Sequence, residues 1–195
     1  MHDKLKWSAI PTLYRGIRYR SRLEARWAAF FDLMGWAHEY EPIDLPGWIP
    51  DFALRFSPDR RVLVEVKPLD LWATGFPNDV ISKIDSAVRS DGSAEILILG
   101  EKPNFDFAIT FVGFYRNFSH GDSRYTEAFL SWHHEGRGIW AFEDIDGEAF
   151  LHDVRFSDTV NGDQAVRSTK VREAEQDWRR ASNVVQWRGQ GESIA

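Results

Sequence analysis

Three ionisable residues stand out in the stretch PDFALRFSPDRRVLVEVKP, residues 50–68: Asp51 directly after Pro50, then Glu65 and Lys67 within a run of valines. Charged side chains rarely enter apolar strands unless they are paired or put to use. Two neighbouring carboxylates repel, and the repulsion is relieved by a shared proton or a bound cation. An open set of hard oxygen ligands suits Mg²⁺ or Mn²⁺, which keep waters and take phosphate oxygens as further ligands. Such an ion polarises a phosphate and acidifies a water, and a lysine beside it can hold that water or stabilise charge developing at phosphorus. These residues therefore predict a metal-dependent phosphodiesterase centre of Asp51, Glu65 and Lys67, with the Val66 carbonyl as a further metal ligand beside Asp51 and Glu65. The plainer alternative is a Glu–Lys pair on an exposed edge strand. A lone E-x-K would be read that way; the earlier Pro-Asp and the valine flanks favour the functional reading.

The elements that must position this set are legible on either side of it. Side chains alternate along a strand, so Glu65 and Lys67 share a face with Leu63, while Val62, Val64 and Val66 face the core. Pro50 cannot donate to a ladder and marks a strand start or edge. Strands are expected over 37–43, 48–56 and 61–67, joined by LPG at 45–47 and SPDR at 57–60. They form an antiparallel meander that brings Asp51 near Glu65. Ahead of them, YRGIRYR (14–20) is extended with a turn at Gly16, and a helix runs from Ser21 to about Met34, stopped by Gly35. Its apolar face is Leu23, Trp27, Phe30, Phe31 and Met34. A second helix spans 78–89, with Ile81, Ile84 and Val88 inward and Gly92 ending it, and AEILILG (94–100) reads as a buried strand.

The remaining chain predicts a strand at 105–115, a polar loop at 116–124 and a short helix at 125–134. A hairpin then turns near Asp146-Gly147. A long helix lies within 163–188, with Val171, Ala174, Trp178, Ala181 and Val185 inward and Glu175 paired to Arg179. The expected architecture is a mixed α/β domain over 1–195: a core at 14–103 of order α-β-β-β-α-β, and an extension at 104–195 carrying the β-hairpin and the long helix.

Composition narrows the class. The chain has no cysteine, which removes disulfides, thiol nucleophiles and cysteine zinc sites. The opening MHDKLKWSAI carries charges where a signal peptide needs an apolar run, and no stretch reaches the ~18 apolar residues of a membrane span. A soluble, cytoplasmic protein with no membrane partner is expected. The net charge of −6 speaks against nucleic acid, yet residues 1–26 hold seven basic groups against two acids. A local basic patch can contact phosphates while acids elsewhere set the total. Arg15, Arg18, Arg20, Arg22 and Arg26, interleaved with Tyr14 and Tyr19, are either that patch or a solvated face. Lys83, beside the apolar stripe of the second helix, is a further candidate against the plain reading of a surface lysine. His133-His134 lack a third ligand at metal-binding spacing and are read as surface residues. Among nine tryptophans, Trp72 and Trp132 are the candidates for stacking on bases.

The pieces YRGIRYRSRLEARWAAFFDLMG, HEYEP, IPDF, VEVKP and ILILGEKP, from Tyr14 to Pro103, occur in an order that resembles the PD-(D/E)XK nuclease superfamily. The likeness is to small phage and prophage nucleases and to the endonuclease subunit of heteromeric transposases. It covers the first half of the chain. The resemblance implies a restriction-endonuclease-like core and Mg²⁺- or Mn²⁺-dependent hydrolysis of DNA by Asp51, Glu65 and Lys67. It implies DNA as partner, met as a homodimer or as a subunit of a larger nucleoprotein complex; exonuclease and junction resolvase remain open within the class. The alternative is a catalytically silent nuclease-fold subunit that binds DNA or assists assembly. Glu24, in SRLEARW, stands where such nucleases carry a helix glutamate that assists the metal. Ser21 and Glu24 also spell a capping box, in which Glu24 would bond back to the helix start. Both readings stand at this point.

Overall fold

The structure, a computed structural model, describes residues 9–57, 60–88, 95–105, 110–116, 125–133, 139–143 and 171–186. The stripe from Leu23 to Met34 becomes helix α1 (Arg22–Met34), with Trp27, Phe30 and Phe31 fully buried. Ser21 caps its start, and it ends at Gly35, whose φ of 75° is the left-handed conformation that a residue without Cβ adopts freely. Ahead of α1, β1 (Thr12–Tyr14) and β2 (Ile17–Tyr19) pair as a hairpin. Its two turn residues, Arg15 and Gly16, both have positive φ, the geometry that matches the twist of a tight hairpin.

A seven-stranded mixed sheet follows in spatial order β3 (Ala37–Tyr40), β4 (Phe52–Ser57), β5 (Arg60–Val66), β6 (Glu95–Asn104), β7 (Thr110–Arg116), β8 (Thr126–His133) and β9 (Ile139–Glu143). All neighbours are antiparallel except β5 and β6. A parallel pair needs a crossover connection, and here α2 (Leu71–Thr74) and α3 (Asn78–Val88) supply it.

Alternation along the strands divides the interior in two. Phe52, Leu54, Val62, Val64, Val66, Leu97 and Leu99 pack with α1 and with α4 (Val171–Val184). Ala53, Leu63, Ile96, Ile98, Phe111 and Phe114 pack on the opposite face with Leu71 of α2 and with Val80 and Ile84 of α3. The sheet is covered on both sides, which is why residues 96–100 of β6 read as an unbroken apolar run. Trp178 of α4 meets Trp27 at 4.7 Å between ring centroids, and Glu175 bonds Arg179 at 2.6 Å, as the helical spacing predicts. Among the described residues no helix is long and apolar enough to cross a membrane.

Several boundaries differ from the sequence reading. Residues 126–133 form strand β8 rather than a short helix: Ala128 and Leu130 enter one core and Phe129 the other, an alternation that only a strand inside a covered sheet satisfies. β3 ends at Tyr40 and β4 starts only at Phe52, because Leu45 and Trp48 bridge each other and hold 45–48 as a loop. Residues 106–109, Gly92, the proposed turn near Asp146-Gly147 and residues 163–170 lie outside the described residues.

Candidate active site

The end of the sheet where β4 begins and β5 finishes collects the ionisable residues. In the β4–β5 ladder Phe52 pairs with Val64, so the next step sets Asp51 opposite Glu65. The parallel ladder uses the Lys67 N–H, which donates to Leu99 O at 2.9 Å, so the Val66 N–H points the other way, toward β4. Pro50 breaks the run there, and the Asp51 carboxylate accepts the Val66 N–H at 2.7 Å. The acid thus ends the pairing of β4 with β5 by taking the place of a ladder carbonyl. The Val66 carbonyl, on the same side of its strand as its N–H, faces the same corner.

Asp51 and Glu65 are 5% and 4% exposed, which is unusual for carboxylates and requires partners. Asp51 receives the Arg20 guanidinium at 2.6 Å as well as the Val66 N–H. Glu65 receives the Trp48 indole N–H at 2.7 Å on one oxygen and the Lys67 amine on the other. Arg20 reaches Glu41 at 2.9 Å and Glu24 at 3.9 Å from the same guanidinium. Burial, followed by the negative charge of Glu65, pushes the Asp51 carboxyl up to about 7. The Val66 N–H opposes the push, Glu24 adds to it, and Lys67 weakens it. Burial alone would lower the Arg20 guanidinium, but Tyr40, Asp51, Glu24 and Glu41 together hold it above its ordinary value. Asp51 is therefore a carboxyl raised first by burial and then by the charge of Glu65, despite its ion pair.

Glu24 takes up the capping arrangement. Its N–H donates to Ser21 Oγ at 3.1 Å, Ser21 Oγ donates back to its carboxylate at 2.7 Å, and the Arg20 N–H and Tyr40 hydroxyl donate at 3.2 and 2.6 Å. It is nonetheless only 8% exposed and close enough to raise Asp51, so the cap lies within the electrostatic reach of the site. Trp48 and Tyr40 were not singled out by sequence reasoning. The signal for Trp48 was available: a buried indole N–H seeks an acceptor, and Trp48 stands three residues before Asp51.

The basic residues separate into distinct settings. Arg15 pairs with Asp32 at 3.2 Å, and Arg18 is exposed on the hairpin. Arg20 belongs to the carboxylate cluster. Arg22 and Arg26, one turn apart on α1, each bury an Nε that has no hydrogen-bond partner. Burial and then the charge of Arg22 lower the Arg26 guanidinium, against a smaller opposing pull from Glu101. Lys83 is exposed on α3, and Trp72 is exposed beside Phe111. The side chains of Trp132 and His133, and all of His134, lie outside the described residues.

Comparison with known proteins adds no assignment. The chain matches no family model, no curated protein and no solved structure. Among the described residues no group of three or more His, Asp or Glu side chains is arranged to hold an ion by itself. The donor set is instead two carboxylates and a strand carbonyl. That fits Mg²⁺ or Mn²⁺, which bind through one or two carboxylates, retain waters and take the rest of their ligands from a phosphate. The observation that favours this fit is geometric: Asp51 stands opposite Glu65 and reaches the Val66 backbone, so both carboxylates and the Val66 carbonyl face one corner where a cation would offset their repulsion.

Proposed function

We propose that the protein is a metal-dependent DNA endonuclease of restriction-endonuclease-like fold, acting in the cytoplasm through Asp51, Glu65 and Lys67. The observation that carries the reading is the convergence of two buried carboxylates and a partly exposed lysine at one end of the sheet, at the break after Pro50. Each acid has a base, Arg20 for Asp51 and Lys67 for Glu65, but two structural ion pairs give no reason to bury the two acids opposite each other. Asp51, Glu65 and the Val66 carbonyl would hold Mg²⁺ or Mn²⁺, and the ion would supply Lewis-acid stabilisation to a scissile phosphate.

The side chains have separable tasks in this reading. Trp48 fixes one oxygen of Glu65 and leaves the rotamer little freedom. Lys67, with its side chain 29% exposed, can turn its amine from Glu65 toward a substrate, to hold the attacking water and stabilise charge in the transition state. Arg20 neutralises Asp51 until substrate and cation arrive. Arg22 and Arg26, mutually repelling on one face of α1, are the candidates for phosphates of the bound strand, with the Arg26 guanidinium 5.4 Å over the Trp178 ring in the free protein. One such site cuts one strand, so a double-strand break requires two protomers or two events.

A second reading draws on the same contacts. Arg20 and Lys67 already pair with Asp51 and Glu65, so a nuclease-fold subunit that binds DNA without cutting it could keep this network as a closed structural unit. A cleavage panel separates the two: single-stranded, duplex, flapped and four-way DNA, each with Mg²⁺, Mn²⁺, Ca²⁺ or EDTA. The nuclease reading expects cleavage with Mg²⁺ or Mn²⁺ and none with EDTA. Binding without cleavage of any substrate selects the silent subunit.

A further inference from the structure

Large apolar side chains are exposed on the segment that follows Lys67: Leu69, Trp72 and Phe76 are 37%, 46% and 46% exposed. The segment itself is firmly held. Leu71 is buried, the Leu69 carbonyl accepts the Glu101 N–H at 2.9 Å, and it lies so close to Gly100 that a Cβ there would come within 2.9 Å of it. Both outward rings are backed by buried rings of β7. Trp72 meets Phe111 at 5.3 Å in an edge arrangement, and Phe76 stacks on Phe114 at 4.1 Å.

Strand register fixes where these rings stand relative to the site. Glu65 pairs with Ile98, and Ile98 pairs with Phe114. Phe76 therefore stacks on a residue of Glu65's own row, two strands across, or ~10 Å at the usual strand spacing. The face is shared as well, since Leu63, Leu71, Phe111 and Phe114 line the same core. Trp72 follows Lys67 by five residues, at most about 17 Å of chain, so a strand of nucleic acid with a phosphate beside Lys67 would have its next few nucleotides within reach of the rings.

We propose that Trp72 and Phe76 form a base-stacking platform for an unpaired DNA strand that crosses the candidate site. The proposal rests on the nuclease reading for its choice of ligand, and it adds the substrate class. Bases stack on aromatic side chains whatever their sequence. In an intact duplex their faces are already covered by neighbouring bases, so rings of this kind select single-stranded DNA, a flap or a frayed end. Rings held by Phe111 and Phe114 lose little freedom on binding, which favours stacking over a loose apolar contact.

The test is fluorescence anisotropy of labelled single-stranded and duplex oligonucleotides of equal length, with the full chain in EDTA so that nothing is cut. Wild type is expected to favour the single strand. Trp72→Ala with Phe76→Ala should weaken single-strand binding by about tenfold or more, leave duplex binding alone and leave the salt slope unchanged. Trp72→Leu with Phe76→Leu, which keeps apolar cover but no aromatic face, should show the same loss. Trp72→Phe should keep most of the affinity. Unchanged single-strand affinity in the leucine variant overturns the platform, as does an equal loss for duplex. A wild type that sediments as a dimer, with a monomeric leucine variant of unaltered single-strand affinity, overturns it in favour of self-association. Cleavage of the same oligonucleotides with Mg²⁺ is scored separately. Ring-dependent single-strand binding without cleavage keeps the platform and removes the nuclease reading, whereas ring-independent binding with normal cleavage removes the platform alone.

Discussion

Replacing Asp51 by asparagine removes its charge while keeping an oxygen for the Val66 N–H, and the structure sets the size of the effect. Moving a carboxyl from 3.8 to about 7 corresponds to about 4 kcal/mol held against the folded state at high pH. The Arg20 ion pair at 2.6 Å pulls the other way, but the Arg20 side chain is 51% exposed, so the pair offsets up to about 1 kcal/mol and about 3 kcal/mol is expected to remain. The sign follows from proton counts. Between pH 4 and 7 the folded chain retains on Asp51 a proton that the unfolded chain has released, so the contribution of Asp51 to stability is greatest below this window and is lost as pH rises through it. Asp51→Asn should therefore melt about 6–12 °C above wild type at pH 8 in EDTA, and the two should converge near pH 4. Adding Mg²⁺ should raise wild type and leave the variant where it was. Thermal melts across pH, with and without Mg²⁺, check this. A variant less stable than wild type at pH 8, or a gap that does not change with pH, would refute the account of Asp51 as a carboxyl raised by burial and by Glu65.

Two further outcomes are expected. Trp48→Phe removes the donor to Glu65 and should cost about 1–3 kcal/mol in urea unfolding, with a weaker apparent Mg²⁺ affinity in any cleavage assay; full stability would mean that Glu65 does not need the indole. Arg22→Ala with Arg26→Ala relieves a like-charge pair, so the melting point should hold while duplex binding weakens and the slope of log K against log salt flattens by roughly two. An unchanged slope would place these arginines outside the substrate path.

The site was more legible than its surroundings, for local reasons. Glu65 and Lys67 share a face because strand alternation is strict, and Asp51 falls opposite Glu65 because a short connection between β4 and β5 leaves little choice of register. The Ser21 cap and the Gly35 stop were equally local signals. Long-range packing was not visible. Residues 126–133 became a strand because β7 and β9 flank them and apolar layers cover both faces, which outweighs local preference. Arg20 looked like one member of a basic run, yet the turn into α1 delivers it to Asp51, 31 positions away. Glu24 carried two readings because the cap and the site are adjacent in space, a fact of the fold rather than of the S-x-x-E pattern.

Nicking of supercoiled plasmid by wild type, Asp51→Asn and Lys67→Ala in Mg²⁺ tests the central claim most directly, with DNA affinity measured on the same preparations in EDTA. The account predicts cleavage by wild type alone, its loss in EDTA, and DNA affinity in Lys67→Ala close to that of wild type. Cleavage by Lys67→Ala at the wild-type rate, or wild-type nicking that persists in EDTA, would contradict a centre built from Asp51, Glu65 and Lys67.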